Sequence, residues 1–279
     1  MTAAVPIPSS GWQARLALGF EQRSLGTVLK HVRHEGPLRV QRPFYPETGL
    51  PHVYLLHPPG GVTASDSLDI RVNLSQGSQA LLTSPGSTKY YRSAGETASV
   101  RQHLAVERGG SLEWLPQENI IFPGARVHSV TRVSLSGDAR FMGWDMTCFG
   151  RPCNGETFDH GRFYGRLEVF RGQRPLLYEC QRLQDGSGLT AAAGLRGFPM
   201  QAVFLATHCD THHLARIRAL LNASACEHPA AATLVDGLLI VRALGYQAEA
   251  LRQKLIPLWQ TLRPLLLNRA AVVPRIWAT

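Results

Sequence analysis

Polar and apolar residues alternate through much of the first two thirds of the chain. The clearest case is "SLDIRVNL", where Leu68, Ile70, Val72 and Leu74 share one face and Asp69, Arg71 and Asn73 the other. A period of two marks a half-buried strand. "SVRQHLAVERGGSLEWL" predicts two strands joined at Gly109–Gly110, and "RVSLSGDARFMGWDMTCFG" two more joined at "SGD". "GRLEVFRGQRPLLYECQRL" repeats the pattern with its turn at Gly172. Glycine at such junctions reads as a hairpin signal. Evenly spaced strands with Gly-rich turns predict a mainly β fold, two stacked and largely antiparallel sheets.

The period changes towards the end of the chain. "DTHHLARIRALLNAS" places Leu214, Ile217, Leu220 and Leu221 at helical spacing, with Asp210 or Thr211 as N-cap. "DGLLIVRAL" reads as a strand, and "QAEALRQKLIPLWQTLRPLLL" as a long amphipathic helix that Pro257 should kink or end. The expectation is one domain over 1–279: β-rich over 12–200, helix–strand–helix over 208–268, and an extended tail over 269–279. Leu183 to Gly197, rich in Gly, Ala and Ser, is the best flexible loop.

Composition narrows the function classes. A chain of 279 residues with 44% hydrophobic and 18% charged residues can bury a sizeable core. The net charge of +9 comes almost wholly from arginine, since lysine occurs only at Lys30, Lys89 and Lys254. The arginines are scattered singly, which speaks against nucleic acid and for polar protein interfaces. The five cysteines form no CxxC, so neither a disulfide framework nor a structural zinc site is expected. No signal peptide and no membrane-spanning run is visible, which reads as cytoplasmic.

Five stretches could carry chemistry. "LLHPPGGVTASDSLDI" lacks the spacing of a phosphate loop and reads as a Pro-Gly turn feeding a strand. "THCDTHHL" offers His208, Cys209, His212 and His213 as weak metal candidates, zinc or nickel, against the plainer reading of a polar helix start. On that cluster rests an alternative function, a metal-dependent hydrolase. In "GWDMTCFG" both strand faces carry apolar bulk, so Asp145 is a carboxylate inside a β core. It must be bonded to neighbouring backbone or face a wet internal cavity. Glu179 in "ECQRL" raises the same question, and Glu113, Gln117 and Glu118 surround Trp114 in "LEWLPQE". A carboxylate pair there could do acid–base work, but no nucleophile pattern supports it.

Seven ordered motifs then carry a resemblance: "GWQARLALGF", "GPLRVQRPFYPE", "YLLHPPGG", "LLTSPGSTKYYRS", "LEWLPQENIIFPGA", "FMGWDMTCFGRPCNGETFDHG" and "PRIWAT". Together they resemble the urease accessory protein UreD (UreH) family from Trp12 to Thr279. The resemblance implies a chaperone-like maturation factor rather than an enzyme. Its partners would be apo-urease and UreF, and through UreF the GTPase UreG. It would hold no tight cofactor and handle Ni²⁺ transiently, along an internal polar tunnel. By motif, Asp66, Thr88, Asp145 and Glu179 fall on that path. One departure stands out. The family loop reads roughly "PPGGxxGGD", and Ala64–Ser65 replaces its second glycine pair. If either position takes positive φ, the side chain costs about 1–2 kcal/mol.

Overall fold

The computed structural model describes residues 11–223 and 228–278. The alternating segments form strands β1 (Gln13–Arg23), β2 (Gly26–Glu35), β3 (Arg39–Val40), β4 (Phe44–Glu47), β5 (Leu50–Leu56) and β6 (Ser67–Leu74). There follow β7 (Gln79–Thr83), β8 (Thr88–Tyr90), β9 (Ala98–Val106), β10 (Ser111–Leu115), β11 (Asn119–Ile121) and β12 (Arg126–Leu135). The second half holds β13 (Arg140–Arg151), β14 (Glu156–Thr157), β15 (Arg162–Arg171), β16 (Arg174–Gln184) and β17 (Met200–Ala206). Helix α1 (Thr211–Ala223), β18 (Ala230–Val235), β19 (Leu238–Gly245) and helix α2 (Ala248–Leu267) complete the order.

The strands make two stacked sheets, as the patterning predicts. One is seven-stranded in the order β16-β15-β12-β9-β6-β1-β2. The other is twelve-stranded, with β18-β19-β17-β13-β10-β7-β5-β3 as its main path. The pairing is mixed rather than largely antiparallel. β1, β6, β9, β12 and β15 lie parallel in one sheet, and β5, β7, β10 and β13 lie parallel in the other. The chain passes back and forth between the sheets, so the expected hairpins at Gly109–Gly110 and at "SGD" are arches from one sheet to the other. Of the three expected hairpins, only the one at Gly172 forms, pairing β15 with β16. A glycine turn signals reversal, but not whether the next strand pairs or crosses over.

Burial follows the layers. β6 alternates because one face of its sheet is open to solvent. β10 is buried at every position because the larger sheet is covered on both sides. One core lies between the sheets, and a second lies between the larger sheet and the two helices. The α1 expectation holds: Asp210 Oδ1 accepts from the His213 N–H at 2.9 Å, which caps the helix. α2 runs unbroken through Pro257 and Pro264. Its buried stripe from Leu251 to Leu267 offsets the roughly 3 kcal/mol each proline costs a helix. Leu183 to Gly197 is a folded turn series, with Leu195 buried and its N–H bonded to the Gly188 carbonyl. The tail does not stay extended but closes in a 3-10 turn, Arg275–Ala278. Trp277 there donates to Thr83 Oγ1 at 3.0 Å and packs against Trp144 and Trp259.

α2 is also held by charge. Arg263 is wholly buried and gives its Nε to Glu113 at 2.9 Å and an Nη to Glu47 at 2.6 Å. Trp259 donates its indole N–H to Glu113 at 2.5 Å, and His52 pairs with Glu47 at 2.9 Å. Glu113 is therefore bound on both oxygens and does no acid–base work. Removing one partner strands a buried charge. Glu113→Ala should cost about 3–5 kcal/mol in urea unfolding. Replacing Glu113 and Arg263 together by methionine should cost less than the two single changes summed.

Candidate functional site

The opening loop is a clamp. Asp66 is nearly buried, and its Oδ1 accepts the Trp12 N–H at 2.7 Å. Its Oδ2 accepts the Thr63 N–H at 2.7 Å and the Thr63 hydroxyl at 3.0 Å. Both oxygens are occupied in fixing the turn into β6. Ser65 just before it has φ +68°, the left-handed region that glycine tolerates and serine does not. Gly11 packs so closely there that a Cβ on it would lie 2.1 Å from the Ser65 carbonyl carbon.

Deeper in, polar side chains line up in register on the two inward faces. In the larger sheet Thr88, Asn119, Thr147 and Gln201 are consecutive ladder partners across β8, β11, β13 and β17. In the other sheet Gln102 pairs with Thr131, Thr131 with Leu167, and Leu167 with Glu179. The Thr131 hydroxyl donates to Gln102 at 3.1 Å. A polar seam thus crosses an otherwise apolar interior.

Two cavities open along it. One of about 320 Å³ is walled by the loop His57–Gly61, by Ser84–Lys89 including Thr88, and by Gln102 and Asp145. A smaller one of about 60 Å³ is walled by Ser129, Thr131, Thr147, Glu179, Gln181 and Gln201, and again by Asp145. Tyr90, Asn119 and Asp145 border both. Three of the four path candidates therefore line these neighbouring cavities, Thr88 the larger, Glu179 the smaller and Asp145 both, and Asp66 lines neither. The seam's far end is bridged between the sheets. Arg242 donates two bonds to Glu179, at 2.8 and 3.3 Å, and the Gln181 and Gln201 amides pair reciprocally.

Asp145 is the seam's central charge. Burial pushes its carboxyl above the ordinary range, and the hydroxyl of Thr147, donating at 3.1 Å, reverses only part of this. Its remaining accessible surface faces the cavity walls. Tyr90 beside it is also pushed up, by burial first and by Asp145 second.

The metal candidates do not come together. Helix α1 begins only at Thr211, so His208 and His212 do not share a helical face. His208 sits exposed at φ +62°, and His213 bonds to Asp210 at 2.6 Å. Cys209 is buried, which pushes its thiol up to about 12. Among the described residues no cluster of three or more His, Cys, Asp and Glu could hold a metal ion. The hydrolase alternative loses its site. The described cysteines, Cys148, Cys153, Cys180 and Cys209, are free, and Cys226 lies outside the described residues. No described helix is long and apolar enough to cross a membrane.

Sequence reading missed Tyr90, Asn119, Gln181 and Gln201. Gln181 was within reach, because it lies two positions from Glu179 on the same strand face. Neutral amides in ordinary strands otherwise give no signal.

Two stability outcomes follow. Ser65→Gly should raise unfolding stability by about 1 kcal/mol, measured in urea. For Asp145, the folded state holds the proton more tightly than the unfolded chain, so ionisation costs stability as pH rises from about 3.9 through the folded value. Asp145→Asn should therefore stabilise at pH 7 by about 1–2 kcal/mol. The gain should vanish below about pH 4, where both states keep the proton.

Comparison with known proteins agrees with the motifs. The family model "UreD urease accessory protein" matches residues 13–278. A urease accessory protein UreD of Alcanivorax borkumensis strain SK2 is 50% identical, covering 96% of this chain and 93% of its own. One from Aliivibrio fischeri strain ES114 is 43% identical over 97% of this chain and 98% of its own. One from Pseudomonas putida strain W619 is 44% identical over 97% and 95%. With a match from the first strand to the tail, the chain belongs to the UreD family of urease accessory proteins.

Proposed function

We propose that the chain is a chaperone-like scaffold of urease maturation, which binds apo-urease and UreF and, through UreF, the GTPase UreG. In this reading Ni²⁺ is cargo, passed along the polar seam between the sheets. One observation supports it above others: two neighbouring cavities share the wall residue Asp145, one lined by Thr88 and the other by Glu179. Family membership supplies the urease connection.

The chemistry of the seam suits transit rather than storage. Its donors are hydroxyls, amide oxygens and carboxylates, which hold Ni²⁺ more weakly than imidazole or thiolate. A conducting site must bind well enough to admit the ion and weakly enough to release it. Asp145, kept protonated more readily than an ordinary carboxyl, gives up its proton when a dication arrives. Glu179 must exchange Arg242 for the ion at the far end. Asp66 serves the path indirectly, by fixing the loop whose His57–Gly61 portion walls the larger cavity.

Co-expression with urease and the other accessory proteins tests this. Asp145→Leu and Glu179→Leu should each lower urease activity and nickel content by roughly tenfold or more, as blocked relay sites would. UreF and apo-urease should still co-purify with both variants. Full activation in both would sink the nickel path, and wild-type chain that captured neither partner would sink the scaffold.

A further inference from the structure

The two faces of the sandwich are treated differently. Both helices pack on the larger sheet, and their apolar stripes cover it. Among the described residues nothing comparable covers the outer face of the seven-stranded sheet. There Arg15, Arg33, Arg71, Arg101, Arg132 and Arg182 are exposed.

In ladder register Arg71 stands beside His103 and His103 beside Arg132, while Asp69 stands between Arg15 and Arg101. Three carboxylates are interspersed but already committed: Glu35 to Arg15 at 3.2 Å, Asp69 to Arg71 at 2.8 Å, and Glu168 to Arg166 at 2.6 Å. Arg33 and Arg101 have no carboxylate partner among the described residues. His128 on this face has a buried Nε2 with no partner, and burial together with Arg101 and Arg166 holds it below its ordinary range. A groove of about 410 Å³ over Ala17 is lined by Arg15, Arg33, Arg71 and Arg101 and by two of those carboxylates, Glu35 and Asp69, so cations outnumber anions there by four to two.

We infer that this outer face is a docking surface for a protein partner with an acidic surface, whose carboxylates seat in the Ala17 groove and pair with Arg33 and Arg101. Guanidinium forks bind carboxylates bidentately, and Arg with Tyr is the composition of interface anchors. Protein fits better than nucleic acid for two reasons. The aromatic rings at this sheet end each already have an arginine over one face, Arg132 over Phe170, Arg166 over Tyr178 and Arg182 over Tyr164, which disfavours their use as base-stacking platforms. The three carboxylates would also repel a phosphate backbone, whereas a mixed protein surface can match them.

The inference rests on the proposed scaffold role for the identity of its partners, and the experiment separates the two. Full-length chain and the Arg33→Glu/Arg101→Glu variant are titrated by calorimetry with the cognate UreF and, separately, with apo-urease. A third arm uses a 20-base-pair DNA duplex. The neutral Arg33→Gln/Arg101→Gln pair should keep the parent's thermal midpoint, both side chains being exposed and free of ion pairs, whereas the charge-reversed variant sets a carboxylate beside Asp69 and gives up some stability while staying folded. The charge-reversed variant should lose about tenfold or more in affinity for one partner at about 50 mM salt, with a flatter salt dependence. Arg33→Gln/Arg101→Gln should show a smaller loss in the same direction. Unchanged affinity for both partners overturns the docking surface and leaves the scaffold standing. Wild-type chain that binds neither partner overturns both. Duplex binding that the variant abolishes, with partner binding intact, assigns the face to nucleic acid and overturns the inference.

Discussion

The carboxylate of Glu113 holds the C-terminal third of this protein to the rest. It lies on β10 in the middle of the larger sheet and meets Trp259 and Arg263, one helical turn apart on α2. Arg263 reaches on to Glu47 on β4 and gives a further N–H to the Ala270 carbonyl, so one guanidinium ties two strands, the helix and the chain beyond it. Such an arrangement is poor at adding net stability, because desolvating the charges consumes most of the attraction. It is good at fixing one docking register. A purely apolar stripe on α2 could slide by a turn at small cost, and a buried arginine cannot. Burial alone would raise the Glu47 carboxyl, yet hydrogen bonds from His52 and Arg263 hold it below its ordinary value. That contribution is complete above the usual glutamate range and is lost as pH falls through the lowered folded value.

Fixing α2 also fixes what lies behind it. Trp277 of the tail slots against Trp259 and Trp144, and Trp144 is the neighbour of Asp145 on β13. The strand that carries the seam's central carboxylate is therefore packed by helix and tail on one side. Its other side is left to the polar line of Thr88, Asn119, Thr147 and Gln201. Rigid support on one face lets a strand hold a costly charge on the other.

Much of this was legible in the sequence where period and parity carried it. The alternation of "SLDIRVNL" gave an open-faced strand, and the apolar bulk on both sides of "GWDMTCFG" placed Asp145 inside. The parallel pairing was not legible. An arch between sheets and a hairpin use the same Gly-Gly chemistry, and the difference lies in which distant strand accepts the backbone bonds. The one trace was that β10 and its neighbour β7 lack the alternation of β6, as strands covered on both faces do. The histidine cluster misled for a local reason: a spacing of four means a shared face only inside a helix, and α1 starts after the first histidine. The Glu113–Arg263 pair was invisible because its members are 150 positions apart.

The distribution of polarity across the layers is the deeper regularity. A two-sheet stack usually hides its apolar faces in the middle and leaves the outside to water. Here the middle carries a polar seam, and the larger sheet needs helices on its outer face to supply the burial that the seam forgoes. Among the described residues that leaves one sheet face without a helix over it, and Arg33 and Arg101 stand there with no carboxylate partner. If the interior were wholly apolar, the helices would be a luxury. Because it is not, the chain places its stabilising contacts on one side, its polar seam in the centre, and on the other side more arginines than the carboxylates described there can pair.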